Sequence, residues 1–280
     1  MQREPSTAPR TPQATAAFAR GPVIEIAAAP LRVTIAPQAG GRIAQINYDG
    51  TDHLVDHDEG NDGMIAWGSF PMLPWAGRLR RGRFEFEGRS YRMPLNMGDH
   101  AIHGPAFGMP WQVDSHHDHA VELSLALPQD ARWPFGGSAH QRIEAGGSRL
   151  KMTLSLKAGA CAMPGVIGWH PWFRKPDRAV FTPSAIYPRD EEGIATLPVS
   201  DPSPGPWDDC FVNTAPVLLQ HDGRRLRLTS DCTDWVVYDE AAHATCIEPQ
   251  SGPPDAFNLQ PTPIAPGESL QRWFLIEWES

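Results

Sequence analysis

The amino-acid sequence predicts an all-β fold, a sandwich of antiparallel sheets that forms one domain over residues 21–280. Three observations support this prediction. Apolar and polar residues alternate with a period of two in many short segments, as in strands that bury one face and expose the other. The 29 Pro and 25 Gly of the 280 residues punctuate the chain, as turns between strands would. No stretch of a dozen residues has the 3.6-residue period of an amphipathic helix.

The predicted strands follow one another along the chain. They are residues 31–35, 84–86, 121–127, 150–156, 226–228, 235–237 and 274–278. Turn sequences separate them at 48–50, 87–88, 145–147 and 221–223. Asp-Gly pairs in the first and last of these turns favour tight hairpins. Residues 82–91 form a hairpin-like stretch, and 198–207 is a surface loop because strand-like patterns continue on both sides of it.

The composition argues against several classes of partner. The formal net charge is −9 and the pI is near 5.6, so we expect no basic surface of the kind that binds nucleic acid. No run approaches 18 apolar residues, so we expect no membrane partner. Hydrophobic residues make up 41% of the chain, enough for a sizeable core. The ten Trp can fill that core or stack on the apolar faces of sugars.

The cysteines and the first twenty residues indicate the cellular compartment of the protein. Cysteines at 161, 210, 232 and 246 form no CxxC pair and no zinc-like spacing. This pattern indicates free, mostly buried thiols in a reducing environment. Residues 1–20 lack the continuous apolar segment of a signal peptide and are predicted to be a disordered leader. We therefore expect a cytoplasmic protein.

Short segments rich in Gly, Pro and Trp each carry one chemically competent residue. They are residues 74–88 with Arg78, 101–111 with His103, 168–173 with His170, and 246–258 with Glu248. A further segment, 207–211, places Asp208 and Asp209 after a Pro-rich loop. Rigid, aromatic, turn-rich surroundings of single ionisable groups indicate a cleft built from loops. A histidine and a carboxylate in one cleft are sufficient for general acid–base chemistry.

Each of these residues also has a purely structural interpretation. His170, which a following proline biases toward the extended geometry of a strand end, could be a hydrogen-bonded core histidine. Glu248, at the end of an apolar strand, could be a solvated edge carboxylate, because burial without a partner is costly. Arg78 could lie on the surface, and His103 could bond only to the backbone. Asp208 could likewise be solvated.

Five motifs follow one another in a fixed order. They are Pro74-Trp75-Ala76-Gly77-Arg78-Leu79, Ile102-His103-Gly104, His170-Pro171-Trp172-Phe173, Asp208-Asp209-Cys210-Phe211 and Glu248-Pro249-Gln250-Ser251. In this order and spacing, over about residues 31–278, the chain resembles the aldose 1-epimerase (galactose mutarotase) family. The resemblance implies a large antiparallel β-supersandwich, a sugar cleft on one sheet face and no cofactor. One position departs from the family pattern, because Gly77 replaces the Asn expected before the arginine and removes a sugar contact or a loop-bracing amide.

The resemblance also implies a role for each site residue. His170 resembles the general acid and Glu248 the general base of an isomerase that interconverts the α and β anomers of a hexose-type sugar. Arg78, His103 and Asp208 resemble its sugar-binding residues. The chemistry needs one group to take the proton of the C1 hydroxyl and another to protonate the ring oxygen, with no metal, nucleotide or covalent intermediate. We expect Glu248 and Asp208 to favour a protonated His170 and so to extend activity toward neutral pH.

Other functions fit parts of the sequence. An anionic sugar (a sugar phosphate, sulfonated sugar or sugar acid) would be the substrate if a basic side chain of Arg80-Arg81 or Arg174-Lys175 pointed into the cleft. A non-catalytic carbohydrate-binding protein would be indicated by the loss of His170 or Glu248, and both are present. A glycoside-cleaving enzyme would use two carboxylates, such as Glu248 and Asp208. In every case the expected partner is a small sugar, and the expected state is a monomer, with a dimer as the alternative.

Overall fold

Strands dominate the computed structural model, which describes residues 12–279. In chain order they are β1 (Ile24–Ala28), β2 (Leu31–Ala36), β3 (Arg42–Tyr48), β4 (Thr51–Asp52), β5 (Ser69–Met72), β6 (Arg78–Leu79), β7 (Arg83–Phe86), β8 (Arg89–Arg92), β9 (Ala101–Ile102), β10 (Gln112–His117), β11 (Ala120–Ala126), β12 (Ser138–Ala145), β13 (Arg149–Lys157), β14 (Met163–Pro164), β15 (Gly168–Arg174), β16 (Arg178–Val180), β17 (Ala185–Tyr187), β18 (Asp208–Val212), β19 (Val217–His221), β20 (Arg224–Ser230), β21 (Asp234–Tyr238), β22 (Ala244–Gln250), β23 (Pro263–Ile264) and β24 (Ser269–Glu279). Helical segments are short: α1 (Ala256–Leu259) and 3-10 turns at His57–Glu59, Arg80–Gly82 and Ala106–Gly108. The all-β prediction is confirmed.

Two large antiparallel sheets pack against each other. The first has the order β1-β2-β3-β5-β15-β22-β21-β18-β17, with β4 beside β3. The second has the order β10-β11-β12-β13-β24-β20-β19-β16. Between them, Trp169 of β15 and Trp235 of β21 contact Phe274 of β24, with ring centroids 5.9 and 6.1 Å apart. The apolar core therefore lies between the sheets, and the other face of the first sheet is left for loops to cover.

Strand β13 shows why the period-two pattern predicts the second sheet so well. Its residues alternate between buried and more exposed positions, with Leu150, Met152, Leu154 and Leu156 at most 1% exposed. Polar residues of the same strand face solvent, as expected for a sheet that covers a core on one side only. Each of the seven predicted strands overlaps an observed strand. Five agree to within one residue at both ends, whereas β20 is two residues longer at each end than predicted and β24 begins five residues earlier. The predicted loop at 198–207 is largely exposed, which confirms that prediction too.

Strands β15 and β22 lie in the middle of the first sheet and are covered on both faces. All seven residues of β22 are buried, and in β15 only Trp172 and Arg174 are partly exposed. His170 lies in the middle of β15, so the prediction of a strand end at this residue is wrong. Hydrogen bonding of β15 continues beyond Pro171, which follows His170. The Trp172 amide donates to the Gly68 carbonyl at 2.8 Å.

Residues 12–20 are packed against the domain. The Ala14 amide donates to the Asn96 carbonyl at 2.8 Å, and the side chain of Ala14 is fully buried. The Phe18 amide donates to the Asp62 carbonyl, also at 2.8 Å. The predicted disordered leader is therefore wrong for residues 12–20, because their backbone groups find partners and a small apolar side chain fills a gap in the core. Residues 1–11 lie outside the described residues.

Two further sequence expectations can be compared with the described residues. Within 12–279, no helix is long and apolar enough to cross a membrane. The four cysteines are free, with Cys210, Cys232 and Cys246 buried and Cys161 exposed. The expectation of free, mostly buried thiols is confirmed.

Candidate active site

The face of the first sheet that points away from the core forms the floor of a cleft. Strand register brings the floor residues side by side: His170 of β15 is paired with Phe70 of β5. Glu248 of β22 is paired with Val236 of β21, which is itself paired with Cys210 of β18. Because these strands are hydrogen-bonded neighbours, the floor is a rigid platform rather than a set of loops.

All five residues that the sequence predicted for the site line this cleft, which has a volume of about 370 Å³. This volume lies within the usual range of small-molecule sites. His170 and Glu248 belong to the floor, and Arg78, His103 and Asp208 lie on its walls. Further side chains of the cleft that the sequence analysis did not propose include Trp172, Arg189, Tyr238 and Glu240.

His170 and Glu248 form the central pair of the floor. The Nε2 of His170 lies 3.3 Å from Oε1 of Glu248, and the two side chains are 8% and 3% exposed. Gln250 Nε2 donates to the other carboxylate oxygen, Oε2, at 3.3 Å. The imidazole is held between Phe70 and Trp172, with stacked rings at 4.7 and 5.6 Å. The ring is thus fixed in orientation with one nitrogen facing the carboxylate.

Burial dominates the acid–base properties of this pair. It lowers the pKa of His170 from 6.5 to about 3, and the charge of Arg42 contributes further in the same direction. Burial raises the pKa of Glu248 well above 4.5, helped by the nearby Asp208 carboxylate. The expectation that Glu248 and Asp208 would favour a protonated His170 is therefore wrong for the free protein, because a low-dielectric site favours the neutral imidazole and the neutral carboxyl. At pH values between these two pKa values the pair holds one proton, on Glu248.

His103 is held by the backbone that precedes Arg78. The Gly77 amide donates to His103 Nδ1 at 3.2 Å, and the His103 amide donates to the Gly77 carbonyl at 3.1 Å. Because Nδ1 accepts a hydrogen bond, the proton of the neutral ring must be on Nε2. Burial holds the pKa of His103 well below its usual value, and the charges of His170 and Arg78 lower it further. His103 is thus a neutral hydrogen-bond donor at the cleft wall.

The departure from the family pattern at Gly77 has a local structural cause. Gly77 has φ +66°, and a Cβ added there would lie 2.7 Å from Cγ of Pro254. The position therefore suits glycine, both because of its positive φ and because the ring of Pro254 approaches it closely.

Asp208 lies between two arginines on the cleft wall. Its Oδ2 is 3.6 Å from Arg78 Nη2 and 3.0 Å from Arg189 Nη1. Arg189 Nε also lies 2.9 Å from Oδ1 of Asp209. Two guanidinium groups and two carboxylates thus balance each other's charge. Arg189 was not predicted for the site, because it stands in the charged segment 188–193, which has the composition of an ordinary solvated loop.

Cys246 completes a group of potential metal ligands beside the central pair. Ligand atoms of His170, Cys246 and Glu248 lie within 4.8 Å of one another, and all three residues are buried. This thiol was not predicted for the site, because no spacing of cysteines and histidines along the chain points to it.

Comparison with known proteins identifies the family of this chain. The sequence model named aldose 1-epimerase matches residues 22–277. The chain belongs to the aldose 1-epimerase family. It is 25% identical over 279 residues to the uncharacterized protein YihR of Escherichia coli (strain K12), a match that covers 88% of this chain and 89% of YihR.

Solved structures of aldose 1-epimerases and related proteins share the fold. A putative aldose 1-epimerase from Escherichia coli K12 superimposes with a TM-score of 0.81 at 21% identity, covering 92% of this chain and 99% of the other. Galactose 1-epimerase from Lactobacillus acidophilus NCFM superimposes with a TM-score of 0.77 at 18% identity, covering 92% and 94%. The predicted galactose mutarotase-like β-supersandwich is confirmed.

Proposed function

We propose that this aldose 1-epimerase family member interconverts the α and β anomers of a neutral hexose-type sugar by acid–base ring opening and closure. The observation that carries the proposal is the His170–Glu248 pair, 3.3 Å apart on the floor of the cleft. A base and an acid at hydrogen-bond separation can act on the two neighbouring oxygens of a hemiacetal, the C1 hydroxyl and the ring oxygen.

The single proton of the pair accounts for both directions of the reaction. Ring opening starts from ionised Glu248 and protonated His170. Glu248 takes the proton of the C1 hydroxyl, the bond between C1 and the ring oxygen breaks, and His170 gives its proton to that oxygen. The C1–C2 bond of the open aldehyde then rotates, and closure on the other face returns both protons.

The protonation state that burial favours in the free protein, neutral His170 and protonated Glu248, is the state reached after ring opening. The state needed for opening differs from it only by transfer of one proton within the pair, so no proton has to be exchanged with water. Each general acid or base contributes typically ~10²–10⁴-fold. Together the two groups lower the barrier by about 5–11 kcal/mol.

The walls of the cleft supply groups that suit sugar hydroxyls. His103 presents a neutral Nε2–H donor, and Arg78 presents a guanidinium that is partly exposed, 31% of its side chain. Asp208 can accept from a hydroxyl while Arg189 holds it in place at 3.0 Å. Paired donors and acceptors fix the orientation of the ring above the central pair. Trp172 adds an apolar face to the cleft.

The charges of the cleft support a neutral rather than an anionic substrate. The two arginines that line it, Arg78 and Arg189, face Asp208 and Asp209. The basic residues that prompted the anionic alternative engage other groups outside the lining of the cleft. Arg80 is paired with Asp190 and Glu192, Arg81 with Glu192, Arg174 with Glu59, and Lys175 Nζ donates to the Asp239 carbonyl.

The direct test is anomer interconversion followed by polarimetry or proton NMR. Freshly dissolved α-glucose, α-galactose and several anionic sugars would be compared with wild-type protein, His170→Asn and Glu248→Gln. We expect acceleration with at least one neutral aldose and a loss of ~10²–10⁴-fold in each variant. A matched control is the surface pair of the second sheet, His140→Asn and Glu122→Gln, whose Nε2 and Oε2 lie 3.9 Å apart; these variants should keep wild-type rates.

Other outcomes separate the alternatives. Acceleration confined to anionic sugars would replace the neutral substrate with an anionic one. Sugar binding without acceleration of any sugar would indicate a carbohydrate-binding protein. Wild-type rates in a folded His170→Asn protein would exclude the proposed acid.

A further inference from the structure

A fully buried thiol beside the central pair, that of Cys246, is not used by the proposed mechanism. Cys246 stands two residues before Glu248 on β22, so both side chains leave the same face of the strand. Cys246 is paired with Trp172 of the neighbouring strand β15, and Trp172 stands two residues after His170. The thiol, the imidazole and the carboxylate therefore converge from two hydrogen-bonded strands, with their ligand atoms within 4.8 Å of one another.

The three groups form a ligand set that prefers Zn²⁺ to Mg²⁺ or Ca²⁺. Thiolate, imidazole and carboxylate are the ligands that Zn²⁺ takes in proteins, whereas Mg²⁺ and Ca²⁺ require oxygen ligands. One thiolate and one carboxylate together balance the charge of a divalent cation, which matters in a buried site. Three protein ligands leave a fourth position toward the cleft, the arrangement of open zinc sites.

The distances require little rearrangement. With metal–ligand bonds of about 2.0–2.3 Å, ligand atoms of a tetrahedral site lie about 3.3–3.8 Å apart. His170 Nε2 and Glu248 Oε1 are already 3.3 Å apart. Since all three ligand atoms lie within 4.8 Å of one another, the distances from the Cys246 sulfur to the other two have to shorten by at most about 1.5 Å. Gln250 holds the second carboxylate oxygen of Glu248 at 3.3 Å, as outer partners orient ligands in metal sites.

We propose that His170, Cys246 and Glu248 form a binding site for a thiophilic divalent cation such as Zn²⁺, and that the bound cation inhibits the sugar reaction. The inhibition rests on the proposed function, because the cation occupies the two groups that transfer protons. The binding does not, since it depends only on the three ligands. The site makes the protein sensitive to free Zn²⁺ through a residue that the reaction itself does not need.

The experiment uses tag-free protein, Zn²⁺ titration by calorimetry, and Co²⁺ as a spectroscopic probe. For the wild type we expect one site, a thiolate-to-Co²⁺ charge-transfer band, and loss of sugar turnover with the same concentration dependence as binding. Cys246→Ser should lower the affinity for Zn²⁺ by at least about 100-fold and keep its turnover when Zn²⁺ is present. Cys210→Ser is the matched control, a buried thiol on the neighbouring part of the same floor, and it should keep the affinity.

The results distinguish the failure of each proposal. Absence of a Co²⁺ charge-transfer band in the wild type, or equal Zn²⁺ affinity in Cys246→Ser, would overturn the metal site. If Cys246→Ser does not fold, Cys246→Ala and the band of the wild type decide the question. Binding at this site without any sugar turnover by the metal-free wild type would support the site and count against the proposed function. Turnover that stays unchanged when the site is occupied would overturn the inhibition.

Discussion

Gly77 and His103 hold each other in a backbone geometry that few residue pairs could adopt. Both have positive φ, +66° and +59°, and two hydrogen bonds join them, from Gly77 N to His103 Nδ1 and from His103 N to Gly77 O. A non-glycine residue such as His103 in this region is strained unless its surroundings hold it there. The strain places Nε2–H of His103 at the cleft wall, so the geometry of one donor depends on the residue that departs from the family pattern.

Gly77→Asn should therefore destabilise the protein although it restores the residue that the family pattern leads one to expect. Asn tolerates positive φ, but its Cβ would lie 2.7 Å from Cγ and 3.1 Å from Cα of Pro254. We expect a loss of about 1–3 kcal/mol in the free energy of unfolding, measured with urea. Gly88→Asn is the control, because Gly88 has φ +72° and no atom within 4 Å of an added Cβ. Equal stability of the two variants would contradict the steric argument.

The shared proton of His170 and Glu248 predicts an unusual dependence of rate on pH. The pKa of His170 falls from 6.5 to about 3 and that of Glu248 rises well above 4.5. The pair therefore gains a second proton only well below pH 6.5 and loses its one proton only well above pH 4.5. Protonation of His170 should therefore cause no acid limb near pH 6.5, where an ordinary histidine titrates.

The measurement is kcat/KM for anomer interconversion as a function of pH, with the spontaneous rate subtracted, because this ratio reports the ionisations of the free enzyme. We expect the acid limb to lie well below pH 6.5 and the alkaline limb well above 4.5. A single acid limb centred near 6.5 would show that His170 titrates independently of its partner.

The loops that wall the cleft are tied together by a network of charged residues, here called the rim network: Arg80, Asp190, Glu192 and Asp255. Arg80 Nη2 lies 2.5 Å from Asp190 and Nη1 lies 2.9 Å from Glu192. Arg80 Nε lies 3.6 Å from the carboxylate of Asp255, whose side chain is only 3% exposed. The network connects the segment after β6 with the loop that carries Arg189, so it fixes one wall of the cleft to another.

Removing Arg80, the cation of the rim network, should destabilise the protein more than removing its exposed neighbour Arg81. Arg80→Gln leaves Asp255 buried without its cation, although the Arg80 amide and Asn258 still donate to it. We expect a loss of about 1–3 kcal/mol in the free energy of unfolding. Arg81→Gln, at a side chain 65% exposed and paired with Glu192, should change it by less than about 1 kcal/mol. Urea unfolding of both variants makes the comparison, and equal effects would mean that burial of Asp255 does not matter.

Strands β13 and β22 show how far the sequence alone can predict the elements. β13 covers a core on one side, so its alternation of apolar and polar residues is visible in the sequence. β22 is buried on both faces, one against the second sheet and one beneath the cleft, so no alternation remains. Glu248 was predicted instead as the single ionisable group of a Gly- and Pro-rich segment, and its role as a base from the resemblance to the family.

The candidate site was predictable where chemistry is concentrated in short motifs, and not where distant segments meet. The motifs around His170 and Glu248 carry their residue types in the local sequence. Arg189 and Cys246 carry no such signal, since the first stands in a charged loop and the second in an apolar strand. The direction of the pKa shift at His170 could not be predicted from the sequence either. It depends on burial between Phe70 and Trp172 rather than on nearby charges in the sequence.

At the scale of the whole molecule, one buried histidine joins the two sheets near the C-terminal ends of β3 and β24. Trp278 of β24 donates from Nε1 to His53 Nε2 at 3.0 Å, and Trp278 stacks on Tyr48 of β3 with ring centroids 4.7 Å apart. His53 is 2% exposed. Burial lowers its pKa from 6.5 to about 4, and the charge of His221 contributes in the same direction. A proton on Nε2 would break the bond from Trp278 and place a charge between the sheets.

His53 therefore makes the contact between the sheets sensitive to acid. Its pKa is lower in the folded state, so the unfolded chain binds more protons between pH 6.5 and about 4, and stability falls as the pH falls through this range. The shift corresponds to about 3 kcal/mol. His53→Gln keeps an acceptor for Trp278 but does not titrate, so it should lose about 3 kcal/mol less than the wild type when the pH drops from 7 to 4. Urea unfolding at both pH values measures this difference, with the exposed His117→Gln as control. If His53→Gln and the wild type lose stability in parallel, the acid sensitivity lies elsewhere in the molecule, and the bond between His53 and Trp278 does not couple the sheets to pH.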